Sequence, residues 1–256
     1  MTERWKATSN IRADRLDTLY KTNAIDRLHE SNFISSIRKY CPQQSRILDV
    51  GSGTGALAIK LYDNNYNVSC FDISEEMLSI FRKNKNDRDI EIIVGDIFTY
   101  QSERQFDAIV CRYVFPHYNN FSILLEKISK YVRKGGFIFF DSFSKDSIES
   151  ASKLCGESYQ SIYERTFQKL ASFSEEELRK ACTKINLDII SRKPLSIFHR
   201  NPYFSNDYDI TEYDVKLESF CQKEEVMSFL DCMQTSCMEN MPPNISGNYL
   251  NVLRKN

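Results

Sequence analysis

Residues 46–56 read RILDVGSGTGA, and the fold follows from them. Ile47, Leu48 and Val50 make a short apolar run around Asp49. The run ends in Gly51, Gly53 and Gly55, and Ala56-Leu57-Ala58-Ile59-Lys60-Leu61 comes next. The pattern predicts a strand, a tight turn and a helix. Glycine reaches φ > 0 without a steric cost, so the backbone can turn sharply and a ligand can come close. The first N–H groups of the following helix then face that ligand. Asp72 ends the next apolar run, 21 residues after Gly51. A carboxylate at that place can accept both hydroxyls of a ribose. The stretch therefore points to a nucleoside-containing cofactor.

Downstream, apolar runs alternate with amphipathic stretches. Val68–Phe71 reads as a second strand, and Ser74 caps a helix with Glu75 and Glu76 in its positive first turn. Ile90–Val94 and Phe106–Cys111 read as the third and fourth strands. Phe121–Arg133 reads as a helix with Lys130, Arg133 and Lys134 at its negative end and Gly135-Gly136 as its stop. Phe137–Phe140, ending at Asp141, is a fifth strand. Such alternation predicts an α/β fold with a parallel sheet covered on both faces. Ser174 and Glu177 form a capping box for a helix over 175–186. Leu187–Ile190 and Leu195–Phe198 read as a sixth strand bent at Pro194, 223–240 as a helix and Tyr249–Leu253 as the last strand. Before the glycine loop, Leu16, Leu19, Ile25, Leu28, Phe33, Ile34 and Ile37 recur at roughly helical spacing.

This divides the chain into an N-terminal helical cap at 1–43 and a main domain at 44–256. Substrate-side insertions are expected at about 144–173 and 199–247. Trp5 and Tyr20 are the only large rings before Phe33, and Tyr20 is a candidate substrate contact.

Composition narrows the partners. The chain has 256 residues, with 34 basic and 35 acidic side chains and a net charge of −1. No strong positive field exists to attract DNA or RNA, so nucleic acid is not expected as the main partner. The eight cysteines include no C-x-x-C pair, and only three histidines are present, so no metal site is expected. No apolar run approaches the ~20 residues of a membrane span, and the N-terminus lacks a signal-peptide core. A cytoplasmic protein, monomeric or homodimeric, is expected.

A glycine loop alone does not choose between a dinucleotide and another nucleoside cofactor. Asp49 stands two residues before Gly51, where it would repel a pyrophosphate and favour a cationic ligand. A further acid at a strand end, in Gly95-Asp96-Ile97, can accept from an adenine amino group while Ile97 lies against the ring. With these residues, LDVGSGTG at 48–55, FDIS at 71–74, VGDI at 94–97, FDAIVCRYVFPHY at 106–118 and LEKISKYVRKGGFIFFD at 125–141 resemble the class I S-adenosylmethionine-dependent methyltransferases. The likeness is good over 44–143 and looser over 174–198.

That resemblance implies a seven-stranded, mostly parallel sheet with its last strand antiparallel and S-adenosyl-L-methionine as cofactor. Asp49 and the loop of Gly51, Ser52, Gly53 and Gly55 would hold its methionine end, and Asp72 its ribose. Ile73 and Ile97 would flank the adenine with Met77 nearby, and Asp96 would face the amino group. Backbone at Cys111 and Arg112 would reach the methionine ammonium.

A methylsulfonium is already activated, so alignment and water exclusion carry much of the rate. A base is needed only where the acceptor holds a proton. His117, after the fourth strand, is the candidate base, and it shares candidate substrate contacts with Tyr113 and Tyr118. The Asn/Asp-Pro-Pro-Tyr/Phe sequence of the family's amide and adenine methylators is absent, since Cys111-Arg112-Tyr113-Val114 stands there. The expected activity is in-line methyl transfer to an oxygen or nitrogen of a small molecule, such as a metabolite, sugar or natural-product precursor. The alternatives are a macromolecular acceptor, tRNA or protein, and a catalytically silent cofactor-binding subunit.

Overall fold

The computed structural model describes residues 13, 14, 16–18, 20, 21, 24–156, 158, 170–195 and 248–256. In chain order the elements are α1 (Ala24–Tyr40), β1 (Arg46–Val50), α2 (Ala56–Asp63), β2 (Asn67–Asp72), α3 (Glu75–Asn84), β3 (Glu91–Val94) and β4 (Phe106–Cys111). They continue with α4 (Phe121–Ser129), β5 (Val132–Ser144), α5 (Lys145–Cys155), β6 (Ser172–Phe173), α6 (Glu175–Lys184), β7 (Leu187–Pro194) and β8 (Asn248–Lys255). A 3-10 turn at Phe115–His117 lies between β4 and α4. Trp5, the remainder of Leu195–Phe198, His199 and the stretch 199–247 with its expected helix at 223–240 lie outside the described residues.

The strands run in the order β3-β2-β1-β4-β5-β8-β7, with β6 added beside β5. Pairing is parallel from β3 to β5, and β8 is antiparallel to both β5 and β7. The α/β class and the antiparallel last strand are therefore as expected. From β1 the chain moves one way to β2 and β3, then returns to place β4 on the other side. That reversal makes the carboxyl ends of β1 and β4 a topological switch point, where open α/β sheets bind ligands.

Two apolar layers sandwich the sheet. One gathers Leu48, Ile109, Phe140 and Leu253 with Leu124 and Ile128 of α4 and Leu178 and Cys182 of α6. The other gathers Ile47, Val110, Phe139 and Val252 with Leu57 and Leu61 of α2, Phe81 of α3 and Phe33 and Ile37 of α1. Strands buried on both faces have no room for alternation, which is why β1 and β4 read as nearly continuous apolar runs.

Several boundaries differ from expectation. α4 ends at Ser129, four residues early, and β5 begins at Val132 and runs 13 residues to Ser144. Val132 pairs with Phe106 across the sheet, a non-local bond that outweighs the local helix-stop pattern. Gly135, at φ 75°, lies inside the strand where the register shifts. At Gly136 a Cβ would stand 2.7 Å from the Asp107 carbonyl oxygen, so the close approach of β4 explains that glycine. β7 runs unbroken to Pro194, its irregularity lying between Ile189 and Ser191. The capping box on α6 is present, with Glu177 N–H donating to Ser174 Oγ at 3.1 Å and Ser174 N–H to Glu177 Oε2 at 2.7 Å.

α1 has one buried stripe that changes character along its length. Asp26, Glu30, Phe33 and Ile37 follow at helical spacing, and all four are buried. The apolar half packs on the sheet. The acidic half extends over the switch point.

Candidate active site

The glycine loop leaves β1 with Gly51, Gly53 and Gly55 at φ 76°, 55° and 87°. Gly51 N–H donates to the Phe71 carbonyl at 2.7 Å, and Gly55 N–H to the Ser52 carbonyl at 3.0 Å. Val114 stands where a Cβ on Gly51 would go, and the Phe81 ring where one on Gly55 would go. Those two glycines are demanded by packing as well as by φ. Gly53 differs, because a Cβ there meets nothing within 4 Å. Its backbone lies open to a cavity lined by Tyr20, Asp49, Gly51, Ser52, Gly53, Ala56, Leu57, Arg112 and Tyr113.

Asp72 is built into the turn. Its Oδ2 accepts the Gly53 N–H and its Oδ1 the Ser74 N–H, each at 2.8 Å. Burial raises its pKa, and these N–H groups oppose the rise. Asp49 is fully buried beside the cavity. Desolvation is the main cause that lifts its pKa to about 7. The Arg112 charge opposes this, and Asp72 and Glu30 add to it. A carboxylate in that state favours a cation brought next to it.

An ion cluster then closes over the switch point. Arg112, at the end of β4, is buried and not solvated. Its guanidinium lies 3.8 Å from Asp26 Oδ1 and 3.5 Å from Glu30 Oε2. The same guanidinium faces the rings of Tyr20 at 5.1 Å and Tyr113 at 5.2 Å, within cation–π range. Lys60 of α2 meets the other Glu30 oxygen at 3.0 Å. Tyr113 Oη donates to Asp26 Oδ1 at 2.9 Å and lies 2.6 Å from His29 Nδ1. The Tyr113 backbone is left-handed, at φ 58°. A non-glycine residue in that region stores about 1–3 kcal/mol of strain. Asp141 at the level of β5 holds it there by accepting the Tyr113 N–H at 2.6 Å. Desolvation lifts the Asp141 pKa to about 6, against this N–H and Arg112.

Of the residues named from sequence, the fold brings Tyr20, Asp49, Gly51, Ser52, Gly53, Arg112 and Tyr113 to one cavity. Asp72 and Gly55 frame its loop. Ile73 and Asp96 are half-buried, Asp96 accepting the Phe98 N–H at 2.9 Å. Ile97 is buried in the core layer that holds Phe71 and Tyr118. Met77 is buried against Ala13 and Leu16. The Cys111 thiol is buried, and burial raises its pKa far above the usual range.

His117 and Tyr118 do not line this cavity. His117 sits half-buried in the 3-10 turn, where desolvation lowers its pKa to about 4. It is therefore neutral at neutral pH and a weak proton acceptor. Tyr118 is buried and rests tilted against Phe98, the ring centres 5.5 Å apart. Sequence reading missed Asp26, Glu30, Lys60 and Asp141 as parts of the site. The available signal was two acids at i, i+4 on the stripe that continues through Phe33 and Ile37. No cluster suited to a metal ion occurs among the described residues, and none of their helices is long and apolar enough to cross a membrane.

Comparison with known proteins gives the family and the fold. Residues 22–192 match the family described as a methyltransferase domain. A malonyl-[acyl-carrier protein] O-methyltransferase of Priestia megaterium is 25% identical over 144 residues, 55% of this chain and 53% of that protein. An (S)-coclaurine N-methyltransferase of Thalictrum flavum is 25% identical over 118 residues, 42% of this chain and 33% of that protein. The chain thus spans about half, or less, of the length of these curated relatives. The crystal structure of magnesium protoporphyrin IX methyltransferase from Synechocystis, with bound S-adenosylhomocysteine, superposes with a TM-score of 0.59 at 13% identity, covering 95% of this chain and 94% of that one. By sequence match, sheet order and loop, the chain belongs to the methyltransferase domain family, with the fold of the class I methyltransferases.

Proposed function

We propose that this protein transfers a methyl group from S-adenosylmethionine to an oxygen or nitrogen of a small molecule. The observation that carries the reading is the cavity at the switch point, where the bare backbone of Gly53 and the buried Asp49 carboxylate meet. The residues fit the cofactor. Asp49 is an acid whose charge burial disfavours, so an ammonium or sulfonium nearby restores it. S-adenosylmethionine supplies a methyl group already activated on a sulfonium.

In this reading Asp49, Ser52 and the glycine loop hold the methionine end, and backbone at Cys111 and Arg112 reaches its ammonium. Asp72 holds the ribose hydroxyls with the lone pairs that Gly53 and Ser74 leave. Ile73 and Ile97 flank the adenine, Met77 backs that wall and Asp96 meets the amino group. Tyr20 and Tyr113 bound the cavity and help exclude water. Orientation of the acceptor along the line of displacement is the main catalytic contribution, worth about 7–11 kcal/mol in well-aligned systems.

A small acceptor is favoured because curated relatives include O- and N-methyltransferases named for ubiquinone biosynthesis and for (S)-coclaurine. The near-neutral net charge supports it too. The protein is read as cytoplasmic, monomeric or homodimeric, with residues 1–43 as the cap and the stretches at about 144–173 and 199–247 selecting the acceptor. The test is calorimetry with S-adenosylmethionine and S-adenosylhomocysteine, then transfer of labelled methyl into fractionated cell extract. Label in the small-molecule fraction supports the reading, and label confined to tRNA or protein favours a macromolecular acceptor. Binding without transfer would indicate a silent subunit.

A further inference from the structure

Tyr113 is fixed at three points on the cavity wall. Its left-handed backbone donates to Asp141, its ring faces Arg112, and its Oη donates to Asp26 at 2.9 Å. An ionised carboxylate only accepts, so the single phenolic proton is directed at Asp26. His29 Nδ1, 2.6 Å from the same oxygen, must then carry the hydrogen of their shared bond. Asp26 faces Arg112 from the end of β4, and the same cluster holds Glu30 and His29 on α1, with Lys60 of α2 on Glu30 and Asp141 of β5 on the Tyr113 backbone.

We infer that Tyr113 relays the proton of the methyl acceptor to Asp26, with His29 as a positioning residue, so that the acceptor is a hydroxyl or ammonium group and not a carboxylate. The inference rests on the methyltransferase reading above. The acceptor atom forms its bond to the methyl carbon as the carbon–sulfur bond breaks, the electron pair staying on sulfur. The acceptor's O–H or N–H bond breaks, its proton bonds to Tyr113 Oη, and the proton already on Oη moves to Asp26 Oδ1. Methyl transfer removes one positive charge from the cavity, and the relay returns one to the buried cluster beside it. In a low-dielectric site, a step that keeps the local charge constant avoids a large electrostatic cost. A carboxylate acceptor has no proton to give and would gain nothing from the device.

Two variants and two readouts test it. Tyr113→Phe keeps the ring, and Asp26→Asn keeps the shape of the proton acceptor without its basicity. Each is expected to bind S-adenosylhomocysteine like the wild type. Each is expected to lower label transfer to the small-molecule fraction of cell extract about a hundredfold at neutral pH, as lost proton transfer does. The loss should shrink as pH rises, because hydroxide then takes the proton. The second readout needs no turnover. In the cofactor-free protein, nitrogen NMR of the three histidines should find His29 protonated on Nδ1, and Tyr113→Phe should perturb it. Wild-type rates and pH profile in both variants, or a His29 bearing its hydrogen only on Nε2, would overturn the relay. Wild-type protein that transfers no label would overturn the methyltransferase reading, and the relay with it.

Discussion

Asp72 Oδ2 accepts the backbone N–H of Gly53 at 2.8 Å, so the acid at the end of β2 braces the loop glycine at which a Cβ would meet nothing within 4 Å. The same carboxylate is the proposed ribose ligand. Asp72→Ala should therefore weaken S-adenosylmethionine binding by at least one charge-assisted hydrogen bond, about 1.5–3 kcal/mol. Calorimetry reads this directly, and unchanged affinity would remove Asp72 from the site.

Asp49 makes cofactor affinity depend on pH. Its pKa near 7 in the empty protein means that the acid is partly protonated at neutral pH. A bound cation favours the ionised form and lowers that pKa, so binding releases a proton. Affinity should rise with pH up to about 7, by at most about tenfold per unit, and then level off. Asp49→Asn should bind more weakly and lose this slope. Calorimetry in buffers between about pH 5.5 and 8 measures both the affinity and the protons released.

The glycines of the loop should separate stability from binding. Gly55→Ala places a methyl in the Phe81 ring at a positive φ, so it should cost several kcal/mol of stability, as overpacking of a filled core does. Gly53→Ala meets open space and should cost only about 1 kcal/mol, from its positive φ. Its methyl would nevertheless narrow the cavity, so the loss should show in cofactor affinity. Thermal unfolding and calorimetry on the two variants check the contrast.

His117 offers a sharp choice between two proton acceptors. A base at this position predicts that His117→Ala lowers turnover far more than cofactor affinity. The structure sets it apart from the cavity lining, with a pKa of about 4, well below the range where a general base works best at neutral pH. The expected outcome is turnover within a few-fold of wild type. A loss approaching a hundredfold with intact cofactor binding would restore His117 as the base and count against Tyr113.

The elements that sequence resolved best are those whose signals are local. Gly51, Gly53 and Gly55 announce the turn through backbone freedom, Ser74 and Ser174 cap their helices, and β1 and β4 show as apolar runs because both faces are covered. The start of β5 was hidden because Gly135-Gly136 imitate a helix stop, while the pairing of Val132 with Phe106 is remote in sequence. The ion cluster was hidden for the same reason. Asp26 and Tyr113 are 87 residues apart, and only the packing of α1 beside β4 joins them. A buried acid on an amphipathic stripe reads like an exposed one until its partners are placed. The stretches at about 144–173 and 199–247, proposed to select the acceptor, carry no strong periodicity, and the sequence pattern there names no chemistry.

The central claim is that the cavity between β1 and β4 binds S-adenosylmethionine for transfer to a small molecule. Its most direct test is incubation of the purified protein with methyl-labelled S-adenosylmethionine and the small-molecule fraction of cell extract, comparing wild type with Asp49→Asn. Label should enter a small molecule with the wild type and fall sharply with the variant. No incorporation by the wild type, or equal incorporation by both proteins, would contradict the account.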